Sequence, residues 1–327
     1  MPYLPVGGQA VIEGVMMRSP SRFAVACRRA DGTIAVTDEP FESLTKRHRV
    51  LGLPIVRGAV SMFETLRLGM RALAWSADVA VEGEARAAAV SGSPPGAAVA
   101  GMAPAPRAKS GMSSWALGLT LAVSLGLGFF LFFYLPLWAT SALGVHGNLA
   151  FNAVDGAFRV GVLLLYLWSI SRWGEMRRLL AYHGAEHKSI HALENGAELV
   201  PRAAATFPRF HPRCGTAFLF LVVLVSIGVF LLLGRPVSLA DRLLRFSMIP
   251  VVAGVAFEVT RLSGRFADSP WLAPVIRPGL LLQRLTTREP DQGQLEVALV
   301  ALDRVLDEDL RRTDWDADES VRLAFIQ

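Results

Sequence analysis

Cys214-Gly-Thr-Ala-Phe-Leu-Phe-Leu-Val-Val-Leu-Val-Ser-Ile-Gly-Val-Phe-Leu-Leu-Leu233 is a run of twenty residues without a charge. A helix needs about 20 such residues to cross the hydrocarbon core of a bilayer, and a helix that is apolar all round has no face to offer water. Working outward, Trp115 to Leu137 is equally free of charge, and Leu149 to Ile170 is broken only by Asp155 and Arg159. Spaced four apart on a helix, those two are expected to neutralise each other. Leu243 to Leu262 is the weakest block, since it holds Arg245, Glu258 and Arg261. The pattern predicts a mainly α-helical polytopic membrane protein with about four transmembrane helices.

The rest of the 327-residue chain is arranged around these blocks. Residues 1–81 read as a small N-terminal α+β module. Phe23 to Thr37 alternates like a β-hairpin, with Asp31-Gly32 as its turn, and Val6 to Met17 is apolar but punctuated by Gly7, Gly8 and Gly14, which favours an extended segment. From Pro54 to about Val81, apolar residues recur at three and four, while Arg57, Glu64, Arg67 and Arg71 interrupt them. That is the signature of an amphipathic, surface-lying or partly buried helix. Residues 82–112 are rich in Ala, Gly and Pro and read as a flexible linker. Residues 113–262 form the membrane domain, with a histidine-rich loop at 172–213. Residues 263–327 form a tail with an amphipathic helix at Leu295 to Leu310.

Lys and Arg set the orientation. The connector at 139–148 has neither, whereas 172–213 carries Arg172, Arg177, Arg178, Lys188, Arg202, Arg209 and Arg213. Both termini and the histidine-rich segment are therefore expected in the cytoplasm of a bacterial cell, with the chain in its plasma membrane. Arg235, Arg242 and Arg245 on the outer side violate the rule mildly. No cleaved signal peptide is evident in the first ten residues. The net charge of +5 comes without a Lys/Arg run interleaved with aromatics, so nucleic acid is not an expected partner; the lipid bilayer is, and a membrane-protein partner or a homo-oligomer remains open. Cys27 and Cys214 are too sparse for a disulfide framework.

Four of the six histidines lie between residues 183 and 211. In Tyr182-His-Gly-Ala-Glu-His-Lys-Ser-Ile-His-Ala-Leu-Glu194, helical geometry brings His183, His187 and Glu194 within about 40° of one face, with His191 roughly 40° further round. Imidazoles at i and i+4 beside a carboxylate can chelate a divalent cation. His183-x-x-Glu186-His187 also matches the inverted zincin pattern, in which the glutamate is the general base. His211 and Cys214 in His-Pro-Arg-Cys-Gly can complete a tetrahedral set. The candidate ligands are thus His183, His187, His191, His211 and Cys214, with Glu186 or Glu194 as base or fourth ligand and zinc as the leading metal. A polar packing cluster is the alternative. Glu13, Arg18, Arg57 and Glu258 are further candidates for a shared site, set against simple ion pairing such as Glu13 with Arg18 or Arg57, and Glu258 with Arg261 or Arg265.

Several motifs occur together: Gly7-Gly-Gln-Ala-Val-Ile-Glu-Gly-Val-Met-Met-Arg18, Pro54-x-x-Arg57-Gly58, Tyr182-His-Gly-Ala-Glu-His-Lys188, His211-Pro-Arg-Cys-Gly-Thr216 and Leu285-Thr-Thr-Arg-Glu-Pro-Asp291. In these the chain resembles the DUF1385 family, YqhQ-like bacterial membrane proteins, over nearly its whole length. The resemblance implies a multi-pass protein and a metal-dependent enzyme of unassigned reaction. Three functions follow as expectations: a membrane-embedded metal site serving a hydrolase; a non-enzymatic scaffold or assembly factor; and, more weakly, a transporter of small solutes or ions, for which no paired inverted repeats are visible.

Overall fold

The computed structural model describes residues 6–91, 114–265 and 273–306. Four strands, β1 (Gly7–Val11), β2 (Gly14–Arg18), β3 (Arg22–Arg28) and β4 (Ile34–Pro40), form an antiparallel meander in chain order. Twelve helices follow among the described residues: α1 (Leu44–Arg47), α2 (Val56–Ser91), α3 (Ser114–Phe129), α4 (Leu135–Ala142), α5 (Asn148–Ile170), α6 (Gly174–Glu194), α7 (Pro201–Ala204), α8 (Gly215–Leu233), α9 (Leu239–Ser247), α10 (Ile249–Arg265), α11 (Ala273–Thr286) and α12 (Gln292–Val305). A π turn at Phe130–Tyr134 joins α3 to α4.

The expected hairpin is β3–β4, with Ala26 opposite Val36 and Gly32 at φ +85°. The Asp31 carboxylate accepts from the Thr33 backbone N–H at 2.9 Å and so closes the turn. The glycine-punctuated segment ahead of it folds into a second hairpin, β1–β2, whose turn places Glu13 at φ +52°. That turn lacks the Asn-Gly or Asp-Gly pair which marks such hairpins in sequence.

Strand periodicity sorts the sheet into two cores. Val15, Met17, Ala24 and Ala26 face α6 and α12, while Met16, Phe23, Val25 and Cys27 face α2 through Ala72 and Val79. The sheet is therefore the middle layer of three. Burial pushes the Cys27 thiol well above its ordinary range, with the Glu13 carboxylate adding to the effect, which makes it an inert packing group.

Among the described residues, four helical stretches are long and apolar enough to cross a membrane: Ala122–Ala142, Asn148–Ile170, Gly215–Leu233 and Leu239–Leu262. Asp155 and Arg159 pair at 2.8 Å inside the bundle, as their spacing predicts. The fourth stretch is two helices, α9 and α10, broken at Met248, and two of its charges, Arg245 and Glu258, bond to other elements. Arg245 is buried and donates to Asn152 Oδ1 at 2.8 Å and to the Gly234 carbonyl. It is a structural staple, which explains one of the basic residues that break the orientation rule.

Three boundaries differ from expectation. Helix α2 continues to Ser91, so the first ten residues of the expected linker are helical; residues 92–113 lie outside the described residues. The segment 172–213 is not a loop, since half of it is helix α6, buried over its histidine-rich part. The C-terminal segment holds an unexpected helix, α11. Its other helix, α12, starts at Gln292, ends at Val305 and is central to the larger core rather than a tail. The expected residues beyond 306 lie outside the described part. The 3.6-residue pattern of α12 was legible, but the same pattern suits a surface helix and a core helix sandwiched between a sheet and α6.

Leu302 is fully buried in that core. Leu302→Ala is expected to destabilise the protein by about 2–5 kcal/mol, seen as a lowered thermal midpoint in detergent; an unchanged midpoint would show that α12 is peripheral.

Candidate metal centre

The histidine-rich run of helix α6 is enclosed on all sides, with every residue from Gly184 to Ala192 buried. His187, His191, Glu186 and Glu194 are buried and His183 is half-buried. Three features let neighbouring chain come close enough to serve them. Gly184 is bare because a Cβ there would lie 2.1 Å from the Arg288 carbonyl oxygen. Gly8 of β1 sits against Glu186, whose Cγ would be 3.2 Å from a Cβ at that glycine. Gln283, wholly buried on α11, grips the main chain of His211 from both sides: its Oε1 accepts from the His211 N–H and its Nε2 donates to the His211 carbonyl, each at 2.8 Å.

The imidazoles are oriented by backbone carbonyls. His183 Nδ1 donates to Thr286 O at 2.7 Å, and His187 Nδ1 donates to Arg209 O at 2.6 Å. Each ring thereby keeps Nε2 for other work, the arrangement that fixes the tautomer of metal-binding histidines. His183 Nε2 lies 3.2 Å from Cys214 Sγ. The donor atoms of His183, His187 and Cys214 lie within 4.8 Å of one another. Cys214 is also the N-cap of α8, where its sulfur accepts from the Thr216 N–H at 3.4 Å, so the positive end of the helix faces it.

Electrostatics follow from this geometry. Burial works against a thiolate at Cys214, but the His187 and His183 imidazoles outweigh it and hold the thiol well below its ordinary value. Burial also depresses His183, yet the facing sulfur, Glu186 and the Thr286 carbonyl raise its pKa to about 9. Glu186 is pushed above the usual carboxylate range by burial, with His187 and His183 opposing. Its Oε2 is buried without a hydrogen-bond partner among the described residues.

A second trio, His191, Glu194 and His211, lies alongside, its donor atoms again within 4.8 Å of one another. The His187 and His211 rings are 5.7 Å apart between centroids. Here the polar atoms are engaged by protein. His191 Nε2 donates to Phe210 O at 2.9 Å, and His211 Nε2 donates to Glu194 at 3.2 Å. His211 Nδ1 accepts from the Arg213 N–H, and the Arg213 guanidinium pairs with Glu194. Burial lowers both ring pKa values to about 4, so these imidazoles are neutral.

The other candidates lie elsewhere. Glu13 pairs with Arg178 and accepts from the Tyr182 hydroxyl, not from Arg18 or Arg57. Arg18 stacks over Phe41 at 4.4 Å. Arg57 grips Glu258 with two hydrogen bonds of 2.7 and 2.6 Å, so Glu258 serves the α2–α10 contact rather than the histidine layer. Two contributors were missed by sequence reading. Gln283 carries no local signal. Thr286 lies in the quoted Leu285–Asp291 motif, which runs across α6: the Arg288 N–H donates to Leu180 O at 2.8 Å, and Glu289 pairs with Lys188 and Arg209.

Fold and site together define a class: a bundle of four apolar helices carrying a three-layered α/β/α module, with a buried histidine–cysteine–carboxylate cluster where the two meet. The chain belongs to the DUF1385 family, described as "Protein of unknown function (DUF1385)", whose profile matches residues 53–308. It is 31% identical over 315 residues, 92% of each chain, to a protein of Bacillus subtilis (strain 168) named "Uncharacterized protein YqhQ". No solved structure matches it. The family region contains both trios, Gln283 and Thr286; strand β1, which covers Glu186, precedes it.

In chelator-treated protein at pH 7, Cys214 is expected to be a thiolate, read as ultraviolet absorbance near 240 nm that is lost in Cys214→Ser. His183→Ala removes one of the opposing charges and should move the thiol pKa upward. An unchanged spectrum in both variants would contradict the assigned ion pair.

Proposed function

We propose that this chain is an integral protein of the bacterial plasma membrane that holds a divalent transition metal at His183, His187 and Cys214 and works as a metal-dependent hydrolase. The observation that carries the reading is the first trio itself. Three donor atoms converge, both histidines have Nδ1 occupied by a carbonyl, and Glu186, which interacts electrostatically with both, has a buried Oε2 without a hydrogen-bond partner among the described residues. The donor set fits a metal: a thiolate and two imidazoles suit zinc above the harder cations, and an unpaired buried carboxylate is costly unless something compensates it. Three protein ligands leave a fourth position open, as catalytic rather than structural zinc sites do.

When bound there, such an ion lowers the pKa of its water toward neutrality and polarises a carbonyl or phosphoryl oxygen. The residues of the chain do the rest. To hold the ion, His183 would have to give up its Nε2 proton, so affinity would fall as the pH drops. Thr286 and Arg209 hold the two rings in place through their carbonyls. Glu186, with burial raising its proton affinity, is suited to take a proton at Oε2 and return it to a leaving group. The His191–Glu194–His211 group, neutralised by Arg213, keeps His211 packed against His187 and supports the site without ligating. Lys and Arg enriched in 172–213 support a cytoplasmic site with both termini on that side. The polar groups of the spans that pair with one another, Asp155 with Arg159 and Glu258 with Arg57, speak against a solute path.

Detergent-purified protein is expected to carry about one transition-metal ion per chain by elemental analysis. His187→Ala should lose it, and Glu186→Gln should keep it, because the carboxylate is beside the ligands rather than among them. Metal-free wild type after growth in zinc-replete medium would defeat the proposal.

A further inference from the structure

Residues 43–64 make a narrow hairpin. Its base is closed by Glu64, which accepts from Ser43 Oγ at 2.9 Å and from the Leu44 N–H at 2.6 Å. One arm is α1 and the 3-10 turn Arg49–Gly52; the other is the first turns of α2. The tip reads Val50-Leu-Gly-Leu-Pro-Ile-Val56, and Val50, Leu53, Ile55 and Val56 are exposed, Val50 by 70%. The tip packs on α10 by direct backbone contact: a Cβ on Gly254 would stand 2.3 Å from the Ile55 carbonyl oxygen.

The depth of that contact is informative. Helix α8 leaves the metal centre at Cys214, and α10 returns to the same side, its apolar stretch ending at Leu262. Gly254 lies eight residues before that end, about 12 Å at 1.5 Å per residue. Half the hydrocarbon thickness is about 15 Å. On the reading that the four helices span a bilayer, the tip therefore stands near the middle of the hydrocarbon, where a backbone donor without a partner costs several kcal/mol. The tip meets that demand. The Leu53, Val56 and Arg57 N–H groups donate to Val50, Pro54 and Leu53 carbonyls at 3.3, 2.8 and 2.9 Å, the Ile55 N–H reaches Glu258 at 3.4 Å, and Pro54 has none to satisfy. Ile55 holds φ +69°, unusual for a β-branched residue, fixed by its seat on Gly254.

Further up, α2 has two apolar faces. One carries Ala72 and Val79 into the sheet. On the opposite side Phe63, Leu66 and Met70 are each about 60% exposed and fall within roughly 60° of one another. Lys46, Arg47, Arg49 and Arg67 are exposed beside this stripe and the tip.

We propose that 43–70 is a re-entrant wedge, a fifth membrane-embedded element, whose occupants are the acyl chains and anionic headgroups of the leaflet on the side of the metal centre. It rests on the membrane reading and is independent of the metal. Arg67 stands about 16 Å up α2 from Val56, at headgroup level. Lys46, Arg47 and Arg49 start nearer the tip and extend their long side chains toward the headgroups, and the Arg57–Glu258 pair lets two charges lie below that level at little cost. The wedge anchors the sheet module to the bilayer surface and brings lipid beside the α2 face of that module.

The test uses the full chain in vesicles of phosphatidylethanolamine and phosphatidylglycerol, spin-labelled at Leu53→Cys, at Phe63→Cys or at Leu224→Cys on α8 as the lipid reference; the buried Cys27 and Cys214 define the blank. Relaxation enhancement by oxygen exceeding that by a water-soluble nickel chelate at all three positions is the expected result. Chelate-dominated relaxation at 53 and 63, with Leu224 still in lipid, overturns the wedge and leaves the spans intact. The same at Leu224 overturns the membrane reading and the wedge with it. Exclusion of both reagents with spin–spin broadening assigns the surface to a second copy and also overturns the proposal.

Discussion

Helix α6 carries polar side chains into the interior, and each must find a partner there. Burying an unpaired imidazole, ammonium or carboxylate costs more than most single contacts return. The chain meets this constraint with main-chain carbonyls. Arg209, Phe210 and Ala205 supply them from the segment between α7 and α8, and Thr286 from the C-terminal end of α11. Those segments must pass within hydrogen-bonding distance of α6. That requirement accounts for bare Gly184 beneath Arg288 and for the Gln283 grip on the His211 backbone. Glu186, which interacts electrostatically with His187 and His183, keeps a buried Oε2 without such a partner among the described residues.

The same logic explains how two unlike environments meet in one chain. The bundle offers broad exposed apolar surface, with Leu125 and Leu165 each more than 60% exposed, whereas the sheet module buries both faces of its strands. Their junction holds the titratable groups. Cys214 stands where an apolar helix begins, so its sulfur has the N-terminal end of α8 on one side and imidazoles on the other. A thiol in that position is biased toward the thiolate before any ligand is considered.

Much of the fold was legible because its signals are local. Charge-free runs near twenty residues, the Asp31-Gly32 turn and the three-and-four spacing of α2 each depend on neighbours in sequence. The β1–β2 hairpin was not legible, since Glu13 takes a left-handed conformation that no turn motif announces. Helix α11 was hidden by Pro278 within it. The continuation of α2 through 82–91 was masked by an alanine- and glycine-rich composition that suits a linker as well as a helix.

The candidate site divides in the same way. Sequence alone determined that His183, Glu186, His187, His191 and Glu194 share one helix, because the periodicity of a helix is a property of consecutive residues. Which imidazole meets which acceptor was decided by tertiary structure: Cys214 joins His183 and His187, while His211, three residues away, joins His191 and Glu194 with Arg213. Glu258, equally eligible by position along its helix, was drawn to Arg57 instead. Periodicity fixes the face of one helix, but partners across helices depend on distances between segments far apart in sequence, and only packing sets those distances.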